Sequence, residues 1–184
     1  MGALLILSVF SFGQDEELKK LQLEQSTAME HINFLVGSWQ AVSYTNAENG
    51  GWELAKDQSI TGPTSFKLEM AGKMMAVHLP GPINFMGAFT YDVFNHEYRA
   101  AFVDDALGLL DTYTGNIEKG TLTISNIKSN TYYGTEDKKV HTRIRIIPSK
   151  PTGFSMIIHG SDDKGKTWEP MGKFVFTNNQ QATN

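Results

Sequence analysis

Cysteine is absent from this chain of 184 residues. The protein therefore forms no disulfide bond, holds no metal through thiolates and uses no thiol as a catalytic nucleophile. The length suits one domain with a proper hydrophobic core. Hydrophobic residues make up 40% and charged residues 20% of the sequence, so the composition is that of an ordinary globular protein.

Positive charge is also scarce. The chain has 16 Lys and Arg against 20 Asp and Glu, which gives a net charge of -4, and it has no basic stripe or tail. Non-specific nucleic-acid binding depends mainly on neutralising phosphates, so we expect no nucleic-acid partner. The five histidines are far apart and none has a spacing such as His-x-x-x-His, so the sequence predicts no metal site and no cofactor.

The sequence also lacks a hydrophobic run long enough to span a bilayer. The apolar segment Ala3–Phe12 has about ten residues, whereas a transmembrane helix needs roughly 20. Small residues at Ser11 and Gly13 are followed by the polar segment Gln14–Glu17, which is typical of a signal peptide cleaved before Gln14. We therefore expect export to the periplasm or the medium, although only Met1 and Gly2 precede the run. The alternative is a buried N-terminal strand or helix.

Helical composition follows this run. Residues 14–26 are predicted to form a helical tether. The capping box Thr27–Glu30 predicts the start of a second short helix, which Gly37 ends. We therefore divide the chain into a signal peptide over 1–13, the tether over 14–26, one β-barrel domain over 27–177 and a disordered tail over 178–184.

From Ser38 onward the hydrophobic period drops to two, and turn residues recur at short intervals. This pattern is typical of an all-β sandwich or barrel. The sequence predicts ten strands: Ser38–Tyr44, Ser59–Met70, Lys73–Leu79, Phe85–Phe94, Tyr98–Asp104, Leu110–Ile117, Thr121–Ser125, Val140–Ile147, Phe154–Ser161 and Thr167–Phe176.

The predicted loops alternate in kind. Odd-numbered connections are long, whereas even-numbered ones are mostly tight turns such as Ala71-Gly72. In an up-and-down meander these two sets lie at opposite ends, so one end is pinched and the other is an open mouth. The first strand starts at the pinched end, where the preceding helix and Trp39 would act as a plug.

Strand parity predicts which side chains face the interior. The turn at Ala71-Gly72 pairs Leu68 with Met75 and Phe66 with Val77, and paired residues share a face. Later strands sort in the same way, which predicts an apolar, aromatic interior with little charge. The candidate ligand-binding residues are Phe66, Leu68, Met75, Val77, Tyr91, Phe102, Tyr113, Phe154 and Met156.

Several short motifs carry a family likeness over residues 30–176. They are His31–Trp39 with its Gly-x-Trp step, Ala71–Met75, Gly87–Asp92 followed by Tyr98, Phe102–Asp104, Gly115 and Gly165–Trp168. The chain resembles a family of bacterial calycin-like, or lipocalin-like, barrels that is catalogued as a domain of unknown function. The resemblance implies an up-and-down antiparallel barrel of about ten strands with one or two short N-terminal helices. It implies no catalytic residue.

Lipocalins and the haem-binding nitrobindin-like barrels are similar more distantly. Nitrobindin-like barrels hold ferric haem through one histidine on a late strand, and His159 is the histidine here on a comparable strand. Parity places its side chain outward, beside Ser155 and Ile157, and a shift of one residue would reverse that. Haem binding is therefore an alternative that the resemblance suggests.

Acidic and apolar residues meet in the loops at the predicted mouth. Asp104, Asp105 and Asp111 could serve acid–base chemistry or bind calcium, but solvated, turn-forming aspartates are the simpler interpretation. Leucines over 106–110 and the apolar segment Leu79–Phe85 lead us to expect that these two loops form a lid or rim.

These features predict an exported β-barrel protein that binds a small apolar or amphipathic molecule in its interior. An enzyme of isomerase or lyase type on the same barrel is one alternative, and Tyr91, Arg99, Tyr113 and Asp104 would be its candidate residues. A structural or partner-binding module that uses its leucine rim is another. The identity of the ligand and the oligomeric state stay open.

Overall fold

The computed structural model describes residues 3–134, 138–149 and 153–178, with side chains from Asp15 onward. Residues 179–184 of the tail predicted to be disordered lie outside the described residues, and so do the first two residues of the predicted signal peptide. Within the described ranges, no helix is both long and apolar enough to cross a membrane.

One antiparallel sheet closes on itself to form a barrel of ten long strands. Long strands that follow one another in the chain are paired in space, and the last of them also pairs with the first. The fold is therefore an all-β, up-and-down barrel, as the sequence predicts. Its long strands are β1 (Gly37–Asn46), β3 (Thr64–Glu69), β4 (Met74–Leu79), β5 (Phe85–Asp92), β6 (Glu97–Asp104), β7 (Leu110–Glu118), β8 (Thr121–Ser125), β10 (Lys139–Ser149), β11 (Gly153–Ser161) and β12 (Glu169–Asn178).

Two further strands were not predicted, because each is a short segment inside a long loop. β2 (Trp52–Leu54) folds back on the end of β1, and β9 (Tyr133–Gly134) pairs with the start of β10. The strand predicted from Ser59 starts instead at Thr64. Pro63 precedes Thr64 and lacks the N–H that a strand interior requires, so the segment before it stays outside the ladder.

The N-terminal segment differs from the prediction. A single helix, α1, covers Ala3–His31, and a 3-10 turn at Asn33–Leu35 follows it. No second helix starts at Thr27, because residues 14–31 contain neither glycine nor proline and nothing interrupts the helical hydrogen bonding. Gly37 does not end a helix; it opens β1 with a positive φ of 145°, a conformation that glycine adopts readily.

The pinched end of the barrel is plugged, as predicted, and Trp39 belongs to the plug. Its side chain is buried, and the indole Nε1–H donates a hydrogen bond of 2.7 Å to the carbonyl oxygen of Leu35. Ile32 and Leu35, which follow the end of α1, are fully buried. The Tyr98 hydroxyl adds a 2.7 Å bond to the carbonyl of Ala28, which ties the helix to the barrel wall.

Aromatic rings fill the half of the barrel next to this plug. Phe154 stacks on Phe176 with ring centroids 4.4 Å apart, and it meets Phe66 and Trp39 edge to face at 5.5 and 5.1 Å. Pairs of this kind are favoured beyond the burial of their area. The pinched half is therefore a packed core and not a ligand chamber.

We expect Trp39→Ala to lower the free energy of unfolding by about 3–5 kcal/mol, because it removes a buried aromatic ring and the bond that holds the 3-10 turn. Urea unfolding followed by far-UV circular dichroism measures this change. Val42→Ala, at an exposed position on the same strand, is the control and should cost roughly 0.5 kcal/mol or less. Equal midpoints for the two variants would contradict the assignment.

Candidate functional site

A cavity of about 410 Å³ lies inside the barrel at its mouth end. Its walls come from β4 to β7, from β9 to β12 and from the loop before β3. Most of the lining is apolar: Ile60, Leu79, Phe85, Phe102, Val140, Ile144, Met156, Ile158, Met171 and Phe174. The barrel is thus solid at one end and hollow at the other.

The wall formed by Phe102 shows how the sequence shapes this chamber. Phe102 pairs across the sheet with Gly87, and a Cβ atom at Gly87 would lie 2.5 Å from the Phe102 ring. The missing side chain lets the ring lie flat against β5. From there the ring makes edge-to-face contacts with Phe89 at 5.5 Å and Tyr113 at 5.8 Å.

A buried polar network borders one side of the cavity. The Tyr113 hydroxyl donates a short hydrogen bond to Asp111 and lies 2.8 Å from Thr142 Oγ1. Asn126 Nδ2 donates to both carboxylate oxygens of Asp111 at 3.2 Å and to Thr142 Oγ1 at 3.0 Å. Thr131 adds a short hydroxyl bond to Asp111. Tyr113 and Thr142 line the cavity, whereas Asp111 and Asn126 lie behind them.

Asn126 positions this network by bridging two strands. Its backbone N–H donates to the Thr142 carbonyl at 3.1 Å, and the Thr142 N–H donates to Asn126 Oδ1 at 2.7 Å. Asn126 follows β8 immediately, so it extends the pairing of β8 with β10 through its side chain. Its amide group is thereby aimed at Asp111.

Burial and negative charge keep the two tyrosines of the site protonated. Burial raises the pKa of Tyr113 well above its usual range, and the Asp111 carboxylate raises this pKa further. Burial raises the pKa of Tyr133 to about 12, together with the charges of Asp111 and Asp104. Both phenols therefore act as neutral groups at physiological pH.

The two loops predicted to form a lid or rim are joined to each other as a rim. Asn84 donates its backbone N–H to Asp105 at 2.9 Å, and Asp105 returns a backbone bond of 3.1 Å. The leucines of this loop are exposed and do not line the cavity, since Leu107 is 77% and Leu110 is 61% exposed. Tyr133 and Gly134 of β9, which were not predicted, border the cavity instead.

The nine residues predicted to line the interior lie in different parts of the barrel. Phe102, Tyr113 and Met156 line the cavity. Phe66, Met75, Val77 and Phe154 face inward as predicted and are buried in the core, but they do not line the cavity. Parity identifies the face of a strand but not the depth along the barrel, which is why these four were included.

Two of the nine residues lie elsewhere. Leu68 pairs with Met75 as predicted, but it lies close to the turn between β3 and β4 and is 41% exposed, so its predicted burial is wrong. Tyr91 lies at the plugged end, where its hydroxyl contacts Glu24 of α1 at 3.4 Å. Its ring packs against Tyr98 and away from the cavity.

The prediction of solvated aspartates at the mouth is wrong for two of the three. Asp111 is 4% and Asp104 is 7% exposed. Asp104 does form a turn, because its Oδ1 accepts the N–H groups of Ala106 and Leu107. Asp111 shares the inward face of β7 with Tyr113 and pairs with inward Phe102, so strand parity could have identified it as an interior residue.

The residues proposed for an enzyme are not brought together. Arg99 lies on the outer face of β6, where its guanidinium pairs with Asp92 at 2.6 Å. Tyr91 is at the plugged end, and Asp104 caps its own turn. Of the four candidates, Tyr113 lines the cavity.

His159 faces outward, as predicted, and does not border the cavity. It pairs with Arg143 on the outer surface of β10 and β11. Its pKa is lowered by burial and by the charges of Arg143 and Arg145. In the part of the chain that the structure describes, the cavity wall includes no histidine, and no cluster of three or more His, Asp or Glu side chains could hold a metal ion.

A second concave region lies on the outer face. It measures about 690 Å³ and crosses β5 to β7 at Thr90, Arg99 and Thr114, which the strand pairing places side by side. This region is a groove on the sheet surface that also contains the charged side chains of Lys73 and Lys128. The cavity at the mouth is the better candidate for a binding site, because it is apolar and lies within the barrel.

We expect Asp111→Ala to lower the free energy of unfolding by about 2–4 kcal/mol, because the Tyr113, Asn126 and Thr131 donors lose their shared acceptor in a buried place. Thermal or urea unfolding measures the loss. Asp162→Ala removes the same charge from an exposed turn and should change stability by roughly 0.5 kcal/mol or less. If Asp111→Ala were as stable as this control, the network would contribute nothing to the free energy of unfolding.

No protein-family model matches the chain, and no curated protein matches it. The resemblance to the calycin-like family therefore stays a prediction, whereas the closed ten-stranded barrel is what the structure shows.

Proposed function

We propose that this protein binds a small apolar or amphipathic molecule in the cavity at the barrel mouth. The observation that carries the proposal is the contrast between the two halves of the barrel. Aromatic rings fill the half beside the plug, whereas about 410 Å³ stays open at the mouth between apolar walls. Cavities of this size and character are the usual sites for small ligands.

The volume sets the size of the ligand. A volume of about 410 Å³ lies in the range of about 300–1,000 Å³ that is usual for ligand pockets. A ten-carbon chain with one polar group is of suitable size for it. The apolar walls suit the chain, and the hydroxyls of Tyr113 and Thr142 suit the polar group.

Titration with N-phenyl-1-naphthylamine, an uncharged probe that fluoresces in apolar surroundings, tests the proposal. We expect saturable binding at one site. Ile158→Trp fills part of the cavity and should weaken binding at least tenfold, which corresponds to about 1.4 kcal/mol.

Ile157→Trp is the matched control, because the neighbouring residue on β11 pairs with Arg145 on the outer face. It should bind the probe as the unaltered protein does. The proposal is wrong if the folded protein shows no saturable binding, or if both tryptophan variants weaken binding equally.

We further propose that the chain is exported and belongs to the calycin-like family that its motifs resemble. The apolar run Ala3–Phe12 and the small residues Ser11 and Gly13 support export, and the closed barrel supports the family.

Expression of the full chain in a Gram-negative host tests the proposal of export. Mass spectrometry of the periplasmic fraction should then find a protein that begins at Gln14. An uncleaved chain that stays in the cytoplasm would contradict it.

A further inference from the structure

The polar groups at the cavity are uncharged hydroxyls with a carboxylate behind them. Among the described residues, the cavity lining contains no lysine, arginine or histidine. Its polar side chains are the hydroxyls of Ser59, Tyr113, Tyr133 and Thr142, and the Asp111 carboxylate accepts the Tyr113 hydroxyl from behind the cavity wall. A ligand with a negatively charged end would therefore meet no cation and would approach a buried carboxylate.

The donor and the acceptor of each hydrogen bond in the network can be assigned. Tyr113 has one hydroxyl hydrogen, and it is donated to Asp111, which can only accept. Because the Tyr113 hydrogen is used by Asp111, the Thr142 hydroxyl is the donor in its 2.8 Å contact with Tyr113, and it accepts from Asn126 Nδ2 at 3.0 Å. Each of these hydrogens is used within the network, and the capacity that remains on Tyr113 and Thr142 is that of an acceptor.

The raised pKa values keep the direction of these bonds unchanged near neutral pH. Burial and Asp111 hold Tyr113 in its protonated form, and Tyr133 loses its proton only near pH 12. The phenol hydrogen of Tyr113 thus stays in its hydrogen bond to Asp111 and does not turn toward the cavity. A carboxylate placed against Tyr113 and Thr142 would face oxygen lone pairs and find no donor on either hydroxyl, which is costly in an apolar chamber.

We propose that the ligand's polar end is a hydrogen-bond donor without negative charge, such as a hydroxyl or a protonated amine, and that it docks on Tyr113 and Thr142. This inference rests on the proposed function, since it concerns the same cavity. It makes fatty acids and other apolar carboxylates poor ligands, because the Asp111 carboxylate repels them and the network offers them no hydrogen.

Displacement of N-phenyl-1-naphthylamine by decan-1-ol, decan-1-amine and decanoate at pH 7 tests the inference. The three compounds share a ten-carbon chain and differ in the polar end, so the apolar contribution cancels in the comparison. We expect the alcohol and the amine each to displace the probe at concentrations at least tenfold lower than decanoate. Equal potency for all three, or the highest potency for decanoate, would overturn the inference.

Two variants connect this preference with the network. Asp111→Asn removes the charge and should reduce the preference for decan-1-amine over decanoate at least tenfold, whereas Asp162→Asn on an exposed turn should leave it unchanged. Thr142→Val removes one acceptor from the cavity wall and should reduce the preference for decan-1-ol over decanoate at least fivefold. Thr142→Val also gives a result if Asp111→Asn fails to fold.

The outcomes for the two proposals are distinct. If the folded protein does not bind the probe, the proposed function is wrong, and the inference is then wrong as well. If the probe binds but the preference among the three compounds is the same in Asp111→Asn and Thr142→Val as in the unaltered protein, the cavity binds ligands and the inference about its polar side is wrong.

Discussion

Closure of the sheet is the constraint on which the rest of this structure depends. The pairing of β12 with β1 leaves the long strands without a free edge, and it encloses an interior with two ends. Water must be excluded from any part of that interior that is to act as a core. The chain closes one end with α1, the 3-10 turn and Trp39, and the buried bond from Trp39 to Leu35 joins this plug to the first strand.

The distribution of side chains along the barrel then decides what each half can do. Phe66, Phe154 and Phe176 meet in the plugged half and leave no chamber among them. Toward the mouth, the interior surface carries Thr142, Ile144 and the flattened ring of Phe102, which leave space. One continuous barrel thus provides stability at one end and a cavity at the other, so the cavity can be altered without removing the main core.

The sequence predicts the fold well because local rules govern it. Alternation of apolar residues identifies the strands, and alternation of long and short loops identifies the mouth. The site depends on contacts between residues that are distant in the chain, such as Asn126 with Asp111 and with Thr142, and no local pattern encodes them. Depth along the barrel is also hidden from strand parity, which is why Phe66 and Phe154 were grouped with Phe102.

Asp111 gives the most direct physical reason to regard the mouth as functional. Burying a carboxylate costs free energy, and a set of apolar side chains of similar volume often gives equal or greater stability. Once Asp111 is present, however, Tyr113, Asn126 and Thr131 depend on it, so removing it alone is harmful. A barrel built for stability alone would need none of these groups. Their position beside the cavity fits the proposed site, which must distinguish one polar end of a ligand from another.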